Sequence, residues 1–74
     1  MNSIQFDQGV YKKLAPREIE VAIAAKEGLS IKATADKLSI SHKTVQNYRR
    51  SIIWKLTSKN MTGAVGILME AGII

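Results

Sequence analysis

Between Ser41 and Leu56 the chain reads SHKTVQNYRRSIIWKL, and this stretch holds the side chains best equipped for recognition chemistry. Placed on a helix at about 100° per residue, Lys43, Gln46, Asn47, Arg50 and Trp54 gather on one side. Val45, Ile52 and Leu56 stack on the other, with Tyr48 and Ile53 at its flanks. The polar side offers two carboxamides and a guanidinium. Each can make a pair of hydrogen bonds to a purine edge in a duplex major groove, the amides suiting adenine and the guanidinium guanine. Ser41 stands where a cap belongs. Its hydroxyl, with that of Thr44, lies near the open N–H groups of the first turn, where a phosphate oxygen can be bound.

Other chemistry is poorly supplied. The chain has no cysteine and a single histidine, His42, so it lacks both a thiolate metal cluster and a nucleophile paired with a base. An enzyme is not expected. With 74 residues it forms one small domain stabilised by apolar packing alone. No stretch has the apolar length of a membrane span, and the N-terminus lacks a signal-peptide pattern, so the expectation is a soluble, cytoplasmic protein.

The net charge of +5 is unevenly placed. Before Lys37, the bases Lys12, Lys13, Arg17, Lys26 and Lys32 are balanced by Asp7, Glu18, Glu20, Glu27 and Asp36. From Lys37 to Met69 come Lys37, Lys43, Arg49, Arg50, Lys55 and Lys59 without an acid. A solvated helix face normally mixes both signs, so this one-signed stretch favours a polyanionic partner.

These residues need helices to position them. Residues 1–13 show no periodicity and read as a flexible leader that Phe6 and Tyr11 could anchor. Leu14 to Gly28 reads as a first helix, with Pro16 in its first turn and Ala15 where a capping hydroxyl would normally sit. A shorter helix opens at Leu29 and Ser30 and runs to Leu38, with Ala35 and Leu38 inward. Ser39 and Ile40 make a turn before the 41–56 helix. After a loop from Thr57 to Asn60, a last helix runs from Met61 to Ala71. Its inner stripe is Met61, Ala64, Val65 and Leu68, and its outer side carries Gly63, Gly66, Ile67 and Glu70. The fold class is therefore all-α, with four helices and a helix-turn-helix at the second and third.

Leu14-Ala15-Pro16-Arg17-Glu18, then Ser41-His42-Lys43-Thr44-Val45-Gln46-Asn47-Tyr48 with Ile52 and Lys55-Leu56, resemble the DNA-binding domain of the LuxR/GerE family. Its usual form is L-T-P-R-E, then S-x-K-T-V-x-x-H followed by K-L, then a loop ending N-R-T-E-A. The resemblance covers residues 14–72. It implies a bacterial transcription regulator that binds double-stranded DNA as a homodimer, with the third helix in the major groove and the fourth pairing subunits. Carried over by position, base reading falls on Gln46, Asn47 and Arg50, and backbone contact on Lys32, Ser41, Lys43, Thr44 and Lys59. For Lys32 and Lys59 a solvated lysine is the alternative. The dimer surface falls on Gly63, Gly66, Ile67 and Glu70.

The chain departs from the pattern in places. Tyr48 replaces the common histidine at the edge of the core. Trp54 stands where the family is usually polar, either tucked along a neighbour or contacting DNA or a protein. Ala22 and Ala25 take places usually filled by larger residues, while Ile19 and Ile23 take usually polar ones. Either the first helix is rotated to bury the isoleucines, or Ile19 and Ile23 form a patch for a partner. Ala33 and Gly63 replace acids that would complete capping boxes.

Two other readings compete. A protein-interaction module would pair through the fourth helix with another regulator of its family, and RNA polymerase is a further candidate partner. A basic amphipathic helix on a membrane is disfavoured by Asn47 and Gln46 in the basic face. No cofactor is expected. A complete small regulator and the C-terminal effector part of a longer one are both compatible with the sequence.

Overall fold

The computed structural model describes residues 14–74, which form four helices: α1 (Pro16–Lys26), α2 (Ile31–Leu38), α3 (His42–Lys55) and α4 (Met61–Glu70). The expected leader, with Phe6 and Tyr11, lies outside the described residues.

Each helix begins at an extended residue whose surroundings satisfy open N–H groups. Ser30 Oγ accepts from the Ala33 N–H at 3.0 Å, Ser41 Oγ from the Thr44 N–H at 3.0 Å, and Asn60 Oδ1 from the Gly63 N–H at 2.8 Å. The Asn60 cap was not singled out in the sequence. With Ala33 and Gly63 at the third position, neither α2 nor α4 has a side chain to answer its cap. The start of α1 is the reverse. Ala15 has no side-chain acceptor, but Glu18 Oε1 accepts from the Ala15 N–H at 2.8 Å, so half of a capping box forms.

All four helices end alike, through a left-handed residue at Gly28 (φ 84°), Ser39 (φ 58°), Thr57 (φ 53°) and Gly72 (φ 76°). In each, the next amide reaches back five residues to a carbonyl: Leu29 to Ala24, Ile40 to Ala35, Ser58 to Ile53, and Ile73 to Leu68. These turns set where α2 leaves α1 and where α3 leaves α2.

α1 and α3 form the centre, each packing against the other three helices, although α3 touches α4 less extensively than it touches α1. The core is Val21, Ala22, Ala24, Ala35, Val45, Ile52, Ala64 and Leu68, closed by Leu14, Leu56 and Met61. Four of these are alanines, which allow close helix axes but bring little apolar area each. α1 is not rotated to bury its isoleucines. Ala22 is fully buried and Glu18 points inward beside Val21, while Ile19 and Ile23 are each half-buried at the rim, Ile19 against the core. The inward register of α1 is held by Glu18, whose carboxylate takes Lys55 and Ser51 of α3 as partners (below). The stripe read for α4 is inward as expected, and Ala35 and Leu38 of α2 are joined by buried Thr34, whose hydroxyl donates to the Ser30 carbonyl at 2.8 Å.

Candidate nucleic-acid interface

The apolar side of α3 is buried through Val45, Ile52 and Leu56, with Tyr48 and Ile53 half-buried at its edges. Burial of that side fixes the rotation of the helix, and the opposite side is thereby committed to solvent. Lys43, Gln46, Asn47 and Arg50 are all exposed there. None makes an ion pair, and none appears in a side-chain hydrogen bond among the described residues, so their donors and acceptors face outward.

At the start of α3, Ser41 Oγ and Thr44 Oγ1 lie 2.8 Å apart, while Ser41 Oγ also takes the Thr44 N–H. One hydroxyl proton joins the pair. The other remains for an outside acceptor, at a helix end that carries partial positive charge.

At the other end, Lys55 Nζ donates to Glu18 Oε1 at 2.9 Å, and the Glu18 side chain is only 4% exposed. Burial alone would raise the Glu18 pKa. Hydrogen bonds from Ser51, from the Ala15 N–H and from Lys55, together with the charge of Lys55, outweigh it and hold the carboxyl below its ordinary range. This pair ties the first turn of α1 to the last turn of α3. In the sequence Lys55 is one of the six bases of the acid-free stretch. On the wheel, however, Lys55 falls about 120° from Lys43 and close to Ser51, a hint that it turns away from the polar stripe. Glu18, thirty-seven positions away, was beyond any local spacing.

Lys37 is likewise answered by Glu27, the residue that caps the end of α1, at 3.2 Å, an exposed pair. Of the acid-free stretch, Lys43, Arg50 and Lys59 are exposed without an acidic partner among the described residues, and half-buried Arg49 lines a separate hollow of about 330 Å³ with Lys26 and Met61. The positive field is thus concentrated on the polar side of α3. Lys59 lies in the loop after α3, and Lys32 is exposed in the first turn of α2.

Trp54 is not tucked against a neighbour. It is 80% exposed. On α4, Gly63, Gly66, Ile67 and Glu70 face solvent, joined by Met69 and, past the helix end, by Ile73. The two glycines differ: a Cβ on Gly63 would lie 2.6 Å from Ser58 Oγ, whereas one on Gly66 would meet nothing within 4 Å. Gly63 therefore has a reason within the chain, and Gly66 has none there.

Among the described residues no helix is long and apolar enough to cross a membrane, and no cluster of three His, Cys, Asp or Glu could hold a metal.

Residues 12–68 match the sequence profile of the bacterial regulatory proteins of the luxR family, GerE. The chain is 36% identical over 78 residues to the transcriptional regulatory protein YdfI of Bacillus subtilis, covering all of this chain and 37% of that protein. It is 32% identical to the response regulator RamR of Streptomyces coelicolor over 88% of this chain, and 33% identical to the transcriptional regulatory protein FixJ of Bradyrhizobium diazoefficiens over 82%. The chain spans about a third of the length of these relatives, at 32%, 37% and 30%. A four-helix domain with a buried-backed, outward polar α3, matched across most of its length by one family's profile, belongs to the LuxR/GerE family and is a DNA-binding transcription-regulator domain, not an enzyme.

Proposed function

We infer that the chain reads double-stranded DNA in the major groove with α3 and binds as a homodimer through α4. The observation that carries this reading is the outward stripe of Lys43, Gln46, Asn47 and Arg50 on a helix whose other side is buried. Gln46, Asn47 and Arg50 supply paired donors and acceptors for base edges. Lys43, Ser41 and Thr44 hold phosphates at the start of the helix, with Lys59 and Lys32 as outlying cations. Two subunits then read half-sites about one helical turn apart, and salt weakens binding by restoring displaced counterions.

Subunit pairing through α4 is supported by its exposed Gly66, Ile67 and Met69, with Ile73 just past its end, where the absence of a side chain at Gly66 allows a second backbone to approach. The same face supports a second reading, a mixed dimer with another luxR-type regulator. Action in the cytoplasm, where a bacterial chromosome lies, follows from the DNA reading.

The test is selection from a random duplex pool at two salt concentrations, with the bound fraction sequenced. A two-fold symmetric enriched motif supports a DNA-reading homodimer. Salt-sensitive binding without enrichment would leave only a basic surface and move the weight to the mixed dimer.

A further inference from the structure

Trp54 is the most exposed large apolar side chain of the described residues and the only tryptophan in the chain. It is not an isolated surface residue. On the wheel it falls within about 40° of Lys43, Asn47 and Arg50, so it lies in the middle of the polar stripe. Along the axis it stands about 6 Å beyond Arg50 and about 12 Å beyond Gln46. With Arg50, Ile53, Thr57, Ser58 and Lys59 it lines a groove of about 690 Å³ at the end of α3. Lys55 also lines this groove, and no acid among the described residues does.

From these observations the geometry points to Trp54 as a clamp on the DNA backbone at the outer edge of the half-site. This rests on the DNA-reading role of α3 given above. A straight helix with its first turns in a groove about 12 Å wide has, by Trp54, moved off the central base edges and reached the sugar–phosphate wall. An indole has one donor and no acceptor, so it cannot make the paired bonds that tell bases apart. It can lay its face on a deoxyribose and donate Nε1–H to a phosphate oxygen. Lys59, on the same groove, meets the neighbouring phosphate, and Arg50 links the base edge to this contact. An acidic protein segment would suit the charge equally, but it would not call for an indole that continues the reading stripe. The contact is sequence-neutral: it adds affinity and lengthens the footprint without changing the motif.

The single tryptophan makes the test direct. The full chain is titrated with a short random-sequence duplex carrying a dye, and dye anisotropy and tryptophan emission with acrylamide quenching are followed together. The expected result is that duplex binding lowers acrylamide access to Trp54 several-fold. Trp54→Ala weakens binding to enriched and random duplexes alike by about tenfold, the scale of one aromatic contact to nucleic acid. Trp54→Phe, which keeps a ring but loses the donor, recovers part of it. If the duplex binds while Trp54 stays as open to acrylamide as in the free chain, the clamp is overturned although the DNA reading stands. Protection by poly-glutamate in place of DNA would then mark a protein-docking residue. If no duplex binds, the DNA reading itself fails and the clamp with it.

Discussion

Lys55 and Glu18, in the last turn of α3 and the first turn of α1, meet at 2.9 Å with the carboxylate almost fully buried. Ser51 and the Ala15 amide complete the site, so a single carboxylate caps α1, fixes its rotation and anchors the far end of α3. The polar stripe of α3 is aimed by this anchor at one end, by the Ser41 cap at the other and by the apolar side between. Shape and charge are coupled here: Lys55 is drawn to Glu18 and so orients the positive stripe of α3.

Folding stability should carry the acid dependence of that carboxylate. Its pKa in the folded chain is depressed below the ordinary 4.5, so its contribution is fully present above the unfolded-state value and is lost as pH falls through the lower folded-state value. Glu18→Gln should cost about 2 kcal/mol at neutral pH, where a charge-assisted bond is lost and Lys55 is left beside an uncharged group. The gap to the native chain should shrink as pH falls below the unfolded-state value and Glu18 itself becomes protonated. Denaturant titrations of both chains across that range test it, and a gap that stays constant with pH would refute an ionised Glu18 as the source of the stability.

Arg50 and Lys43 share a stripe but should fail differently. Arg50→Ala should cost roughly 1–3 kcal/mol on the enriched site and relax discrimination at one base position. Lys43→Ala should weaken all sequences by similar factors and lower the salt slope by about one. Binding isotherms on enriched and random duplexes at several salt concentrations separate the two. Equal losses on both duplexes for Arg50→Ala would remove it from the base-reading set.

Much of this was legible in the sequence because helices write their faces into local spacing. The two sides of α3, the caps at Ser30 and Ser41, and the inner stripe of α4 all follow from residues within a few turns of one another. Partnerships across the fold were not legible. The Glu18–Lys55 pair depends on how α1 crosses α3, and that crossing also decides that Ala22 faces in while Ile19 and Ile23 stay at the rim. Side-chain size suggested the opposite. Trp54 also escaped spacing, because whether an outward indole folds back depends on neighbours that α3 alone does not supply.

Thr57 is a local conflict left in the structure. A β-branched residue at φ 53° is strained, since its Cβ crowds the backbone in the left-handed region that glycine adopts freely. Thr57→Gly should raise stability by about 0.5–1 kcal/mol, the relief being partly offset by the greater freedom of glycine in the unfolded chain. Thermal unfolding checks it. A lower midpoint would mean that contacts of the Thr57 side chain outweigh the strain at the end of α3.

Gly66 offers a test in which folding and pairing should move in opposite directions. Among the described residues an added Cβ meets nothing within 4 Å, so Gly66→Ala should stabilise α4 by up to about 1 kcal/mol through helix propensity alone. If a second α4 packs on that face, the same methyl separates the two backbones, and dimer affinity should fall about tenfold or more. Sedimentation at several concentrations reads pairing, and thermal unfolding at low concentration reads the subunit. Gly63→Ala is the contrast, because its Cβ would press on Ser58 Oγ and should disturb the loop before α4 whether or not subunits pair. A Gly66→Ala chain that is more stable and pairs as well as the native one would move the dimer contact to another surface.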